Sequence, residues 1–171
     1  MDAAAARNIA EGLKAAIEAE QNGYHFYMMA ARSTEDEQGR EVFEQLANEE
    51  LDHVSYLKQQ HRSLMEKGVF DPEATMGRRT DLSGDSPIFS DKLKARAADA
   101  HFEMSALSIG MNLELNAVKF YKGRADASDD PGVKTFFQEL ADWESGHYEA
   151  LSRQSELLKE DYWNANGFAP Y

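Results

Sequence analysis

Four stretches of the chain repeat apolar residues every three or four positions, the period of a helix with one buried face. The first runs from about 7 to 33 and carries a stripe at Leu13, Ile17, Glu20, Tyr24, Tyr27 and Ala31. A second, from about 40 to Lys67, places Phe43, Leu46, Glu50, His53 and Leu57 on one face and stops at Gly68. A third is read from about 90, after Ser86-Pro87, to 127, with Leu107, Met111, Glu114, Val118, Tyr121 and Ala125 in line. The fourth, from about 132 to 160, aligns Phe137, Leu140, Glu144, His147 and Leu151. Pro131 suits a first helical turn, and Asp129 or Asp130 suits the cap before it. Period-2 alternation of β-branched residues is absent, so the expected class is all-α.

Connection lengths predict the topology. Short turns follow the first and third helices, so each pair forms an antiparallel hairpin. The connection from 68 to 89 is long enough to run the length of a bundle, and it contains Gly68, Pro72, Gly77, Gly84 and Pro87. The expectation is one domain over 1–171: a hairpin at 7–67, a crossover at 68–89, a hairpin at 90–160 and a tail at 161–171. Tyr162, Trp163, Phe168 and Tyr171 make that tail aromatic, which predicts that it packs on the bundle or a partner.

The hairpins look like copies. At an offset of 94, without a gap, residues 13–57 repeat in 107–151. Apolar pairs such as Leu13/Leu107, Phe43/Phe137 and Leu46/Leu140 could follow from shared helical patterning. Glu20/Glu114, Tyr27/Tyr121, Glu50/Glu144 and His53/His147 need another reason. Each helix puts one glutamate into its core stripe, and two helices add a histidine three residues later on the same face. Burying four carboxylates together costs several kcal/mol apiece unless something compensates, and no Lys or Arg falls on the stripes near them. Two divalent cations would supply the missing charge. A Glu from each of two helices and Glu-x-x-His from each of two others is the di-metal carboxylate pattern of four-helix bundles. The candidate ligands are therefore Glu20, Glu50, His53, Glu114, Glu144 and His147. Tyr27 and Tyr121, two turns beyond a glutamate, are candidates to hydrogen-bond a ligand. Asn22/Asn116 repeat off the stripe and suit a surface or capping role, while His25, His61 and His101 have no repeat partner and read as surface or structural.

Composition narrows the chemistry. The chain has no cysteine, which excludes disulfides, thiolate zinc and iron–sulfur centres. A formal charge of −13 disfavours nucleic acid and anionic membranes, and Arg78-Arg79 is the only compact basic pair. Neither a secretory signal nor a run of about 20 apolar residues occurs, so a cytoplasmic location is expected.

Glu20 with Tyr27, the segment Leu46-Ala47-Asn48-Glu49-Glu50-Leu51-Asp52-His53, Glu114 with Tyr121, and Leu140-Ala141-Asp142-Trp143-Glu144-Ser145-Gly146-His147 resemble the rubrerythrin-like branch of the ferritin-like superfamily. The resemblance spans all four helices. It implies a ferritin-like four-helix bundle with two iron ions held by the six ligands named above, Glu50 and Glu114 being candidates to bridge them; manganese and zinc also suit such ligands. It further implies an oxidoreductase acting on hydrogen peroxide or dioxygen, as a peroxidase or ferroxidase, and a homodimer. An iron-storage protein with a ferroxidase step, an oxygenase acting on an organic substrate and a metal-free interaction module are the alternatives. Two departures stand out. Rubrerythrins carry a further glutamate one turn from the helix-three ligand, where this chain has Met111 and Ala117, so the ligand exchange tied to it is not carried over. They also carry a cysteine-ligated rubredoxin domain, so electrons would come here from an external, rubredoxin-like or other donor.

Overall fold

A computed structural model describes residues 3–77, 88–95 and 97–165. Its helices are α1 (Ala3–Ser33), α2 (Glu37–Lys67), α3 (Asp91–Ala95), α4 (His101–Asp126) and α5 (Pro131–Ala165), with a 3-10 turn at Ala97–Asp99. No strand occurs among the described residues. The long helices pair as α1 with α2 and α4 with α5, and α1 meets α4 where the hairpins join. This is a bundle of two antiparallel hairpins, the class expected from the apolar stripes.

Caps define the hairpin turns. Asp36 precedes α2 and its carboxylate accepts from the Gly39 amide at 2.9 Å. Asp130 precedes α5 and accepts from Gly132 at 2.8 Å and Val133 at 3.3 Å. These two caps are themselves a pair at the 94-residue offset. At the other end of α2, Gly68 takes the left-handed conformation (φ 73°), where a side chain would be strained, and closes the last turn onto Leu64.

The stretch from 90 to 127 is not one helix. α3 and the 3-10 turn precede α4, although the composition favours helix throughout. Tertiary anchoring overrides that propensity. Asp36 accepts from the Ser90 amide at 3.0 Å and from the Ser90 hydroxyl. Phe89 lies so close to Gly39 that a Cβ there would sit 2.7 Å from its ring. Ile88, Phe89, Leu93 and Ala100 are buried in the same core cluster as Ala30 and Phe43, while α3 and the 3-10 turn lie against α5 and the Ile88 amide donates to Gln154 at 2.9 Å. At the C-terminus α5 runs on through 161–165, so the start of the expected tail is helix. Tyr162 packs against His101, with ring centroids 5.8 Å apart, while Trp163 is exposed. Phe168, Tyr171, Arg78-Arg79, Gly84 and Ser86-Pro87 lie outside the described residues.

The crossover begins by folding back on the bundle. Gln60 exchanges two hydrogen bonds with the Asp71 backbone, at 2.8 and 3.0 Å. Phe70 stacks on Phe136 at 4.3 Å.

The core divides into two clusters that the repeat exchanges. One holds Tyr27, Ala31, Phe43, Leu46, Leu107 and Leu151; the other holds their partners Tyr121, Ala125, Phe137, Leu140, Leu13 and Leu57. Each cluster thus draws on both hairpins, and an approximate two-fold axis relates one to the other.

Asp36 serves two elements at once. Burial raises the cost of its charge, yet hydrogen bonds from Ser90 and Gly39 hold its carboxyl below the usual range. Such a group stabilises the fold above about pH 4 and stops doing so as acid titrates it. Asp36→Ala should cost about 1–2 kcal/mol, and Ser90→Ala should cost part of that. Urea unfolding at pH 7 and pH 3 checks this: the gap between wild type and Asp36→Ala should shrink at pH 3.

Candidate metal centre

The six stripe residues meet in the bundle interior. Glu20, Glu50, His53, Glu114, Glu144 and His147 are all buried. They form two overlapping groups, Glu20, Glu50, His53 and Glu144 in one, Glu50, Glu114, Glu144 and His147 in the other. Within each group the ligating atoms lie within 4.8 Å of one another. His53 Nδ1 stands 3.0 Å from Glu144 and 3.4 Å from Glu20. His147 Nδ1 stands 3.3 Å from Glu144 and 3.9 Å from both Glu50 and Glu114. The imidazoles are stacked, with centroids 6.0 Å apart.

Glu50 and Glu144 belong to both groups. Glu114, named with Glu50 as a candidate to bridge, falls in one group only, as Glu20 falls in the other. The physical reason is in the phenols. Tyr27 donates to Glu114, and Tyr121 donates to Glu20. Each tyrosine shares a helical face with the glutamate seven residues before it but bonds the equivalent glutamate of the other hairpin. These bonds tie Glu20 and Glu114 to opposite ends of the cluster. Behind the phenols the packing is also duplicated: Phe43 stacks on Tyr27 and Phe137 on Tyr121.

Glu49 lies off the core stripe of its helix and is not among the residues expected at the site. It is buried, accepts from Trp143 Nε1 at 3.2 Å and lies 2.9 Å from His147 Nε2. Its only sequence signal is a break in the repeat, because the residue at the 94-residue offset is Trp143.

Electrostatics shows what the cluster lacks. Burial and the neighbouring carboxylates push Glu50 and Glu114 well above the usual carboxyl range. Burial opposes ionisation of Glu144 too, but His53 and His147 hold it well below that range. Burial likewise works against charged imidazoles, yet the surrounding carboxylates raise His53 strongly and push His147 up to about 10. Burial and nearby carboxylates raise Tyr27 and Tyr121, so both phenols stay protonated donors. Both oxygens of Glu144 and Nδ1 of His147 remain buried without a well-aligned hydrogen bond. Five buried carboxylates against two imidazoles, with convergent orphan atoms, fit a pair of divalent cations replacing protons.

A cavity of about 290 Å³ lies between α1 and α4 and reaches the cluster. Ala15, Ala19, Gly23, Leu113, Ala117 and Phe120 give it apolar walls, and buried Glu20, Glu50 and Glu114 line its inner side. Gly23 permits the close approach there, since a Cβ would stand 3.1 Å from the Glu50 carboxylate. Asn22 and Asn116, the repeated pair expected at the surface, are exposed and line the same cavity. His25 is exposed and packs beside Tyr24, and half-buried His61 belongs to neither group.

The sequence profile of the rubrerythrin family matches residues 11–155, a span that contains every residue of the cluster. The chain belongs to the rubrerythrin family. A solved structure of a hypothetical protein from Pyrococcus furiosus is similar, at 27% identity and a TM-score of 0.61, covering 88% of this chain and 90% of that one. No curated protein matches the chain. Among the described residues no helix is long and apolar enough to cross a membrane.

In the metal-free protein, raised histidines stabilise the fold below about pH 6.5 and cease to as pH passes their folded values. Glu50 and Glu114, also raised, favour the fold when protonated and oppose it above about pH 4.5. Both effects lower stability as pH rises. The melting temperature without metal should therefore fall by at least about 5 °C between pH 6 and pH 9. The increase on adding Mn²⁺ or Zn²⁺ should widen over the same range. Differential scanning calorimetry with and without a chelator checks this.

Proposed function

We propose that this rubrerythrin-family protein is a non-haem di-iron oxidoreductase that reacts with hydrogen peroxide or dioxygen, as a peroxidase or ferroxidase. The observation that carries this reading is the pair of buried ligand groups sharing Glu50 and Glu144. Glu20, Glu50, His53 and Glu144 would hold one iron, and Glu50, Glu114, Glu144 and His147 the other. An iron pair supplies two electrons and Lewis acidity to an oxidant. Manganese or zinc fits the same ligand types.

The chain's own residues do the rest. Tyr27 and Tyr121 keep the end glutamates oriented through donors that do not titrate near neutrality. The two apolar clusters keep bulk water from the centre. The α1–α4 cavity gives a small oxidant a path to the three carboxylates that line it. These 171 residues hold no cysteine, so in this reading turnover as a peroxidase draws electrons from a reductant outside them. The working form in this reading is a cytoplasmic homodimer.

Anaerobic loading with ferrous iron, then stopped-flow mixing with peroxide or dioxygen, tests the proposal. Two irons per chain and fast oxidation are expected, with the faster oxidant naming the activity. Glu50→Ala, which removes a ligand common to both groups, should leave iron binding substoichiometric and abolish the fast phase. Trace iron in the wild type, or no effect of Glu50→Ala, would overturn the reading. Ala19→Trp, which fills the cavity from α1, should slow oxidation about tenfold or more while iron stoichiometry stays at two.

A further inference from the structure

The repeat duplicates the ligands, the phenols and the packing behind them, but it fails at the residue immediately before the glutamate of each Glu-x-x-His motif. Before Glu50 stands Glu49; before Glu144 stands Trp143. The two imidazoles consequently have different backing. Behind His147, the Glu49 carboxylate lies 2.9 Å from Nε2. Behind His53, the Trp143 ring packs edge-to-face at 5.1 Å, and Nε2 is buried with no hydrogen-bond partner. Both histidines turn Nδ1 toward the shared carboxylates.

The geometry points to Glu49 as a positioning residue that makes the two metal positions unequal, the one built on His147 being the tighter and the first to fill. This rests on the metal reading above. The effect is local. A carboxylate accepting from Nε2–H fixes the proton on that nitrogen, leaves the Nδ1 lone pair for the cation and makes the imidazole a stronger donor. It also adds a negative charge behind one position only, where the other has a neutral indole. Trp143 contributes on both sides: its ring packs on His53 while its N–H holds the same Glu49 oxygen that meets His147. One differing pair of side chains thus gives the two duplicated histidines unequal surroundings.

Titration of the metal-free full-length protein with Co²⁺, followed by calorimetry and visible absorption, tests this. Wild type should bind two ions in steps separated by about tenfold or more in Kd. Glu49→Gln, which keeps the shape and removes the charge, should weaken the first step by about 10–100-fold and bring the two steps together. Its metal-free melting curve shows whether the variant folds. A second pair of variants leaves Glu49 intact: His53→Ala should retain the tight step, and His147→Ala should lose it. Histidine NMR during addition of substoichiometric Zn²⁺ should show His147 reaching its bound position before His53. Two indistinguishable steps in wild type, or equal losses in the two histidine variants, would overturn the inference while leaving the metal reading standing. A chain that takes up no Co²⁺ would overturn both.

Discussion

Everything in this molecule answers to one electrostatic problem: five carboxylates and two imidazoles buried together between two apolar clusters. Removing an ion from water costs several kcal/mol even after relaxation, and like charges in close range raise that cost. The protein meets part of it internally. Burial and neighbouring carboxylates favour the neutral forms of Glu50 and Glu114, the same carboxylates favour charge on the histidines, and two phenols and an indole donate to carboxylates. What remains is a set of convergent oxygens and nitrogens whose geometry is already fixed. A cluster of this kind is poorly explained as a stability device, because apolar side chains of similar size would fill the same space more favourably. It makes sense as a place prepared for cations.

Much of this was legible in the sequence because burial and chemistry conflict there. A glutamate in an apolar stripe contradicts the pattern around it, and the contradiction appears four times at one offset. That is why all six candidate ligands could be named without coordinates and why they meet in the fold. The hairpins were legible for a simpler reason, since turn chemistry at Asp36, Gly68 and Asp130–Pro131 is local.

Other features depend on relationships that a one-dimensional pattern does not hold. The segment ahead of α4 is anchored by Ser90 on Asp36 and Phe89 against Gly39, contacts across fifty residues or more. The crossing of Tyr27 and Tyr121 to the opposite hairpins depends on how the hairpins face each other. So does the choice of Glu50 and Glu144, rather than Glu114, as the shared carboxylates. Glu49 lay off the stripe, where a helical glutamate is ordinarily solvated. The cavity is a property of the α1–α4 seam, where small residues on two helices leave space that neither helix describes alone.

The crossed phenol bonds have a consequence for assembly. Neither hairpin can orient its own terminal glutamate, because the hydroxyl that does so arrives on the other one. A hairpin folded alone holds the right residues in an undefined arrangement. The centre comes into being only when the halves dock. The crossing also couples cation retention to the integrity of the seam: loosening α1 from α4 would release both ends of the cluster together.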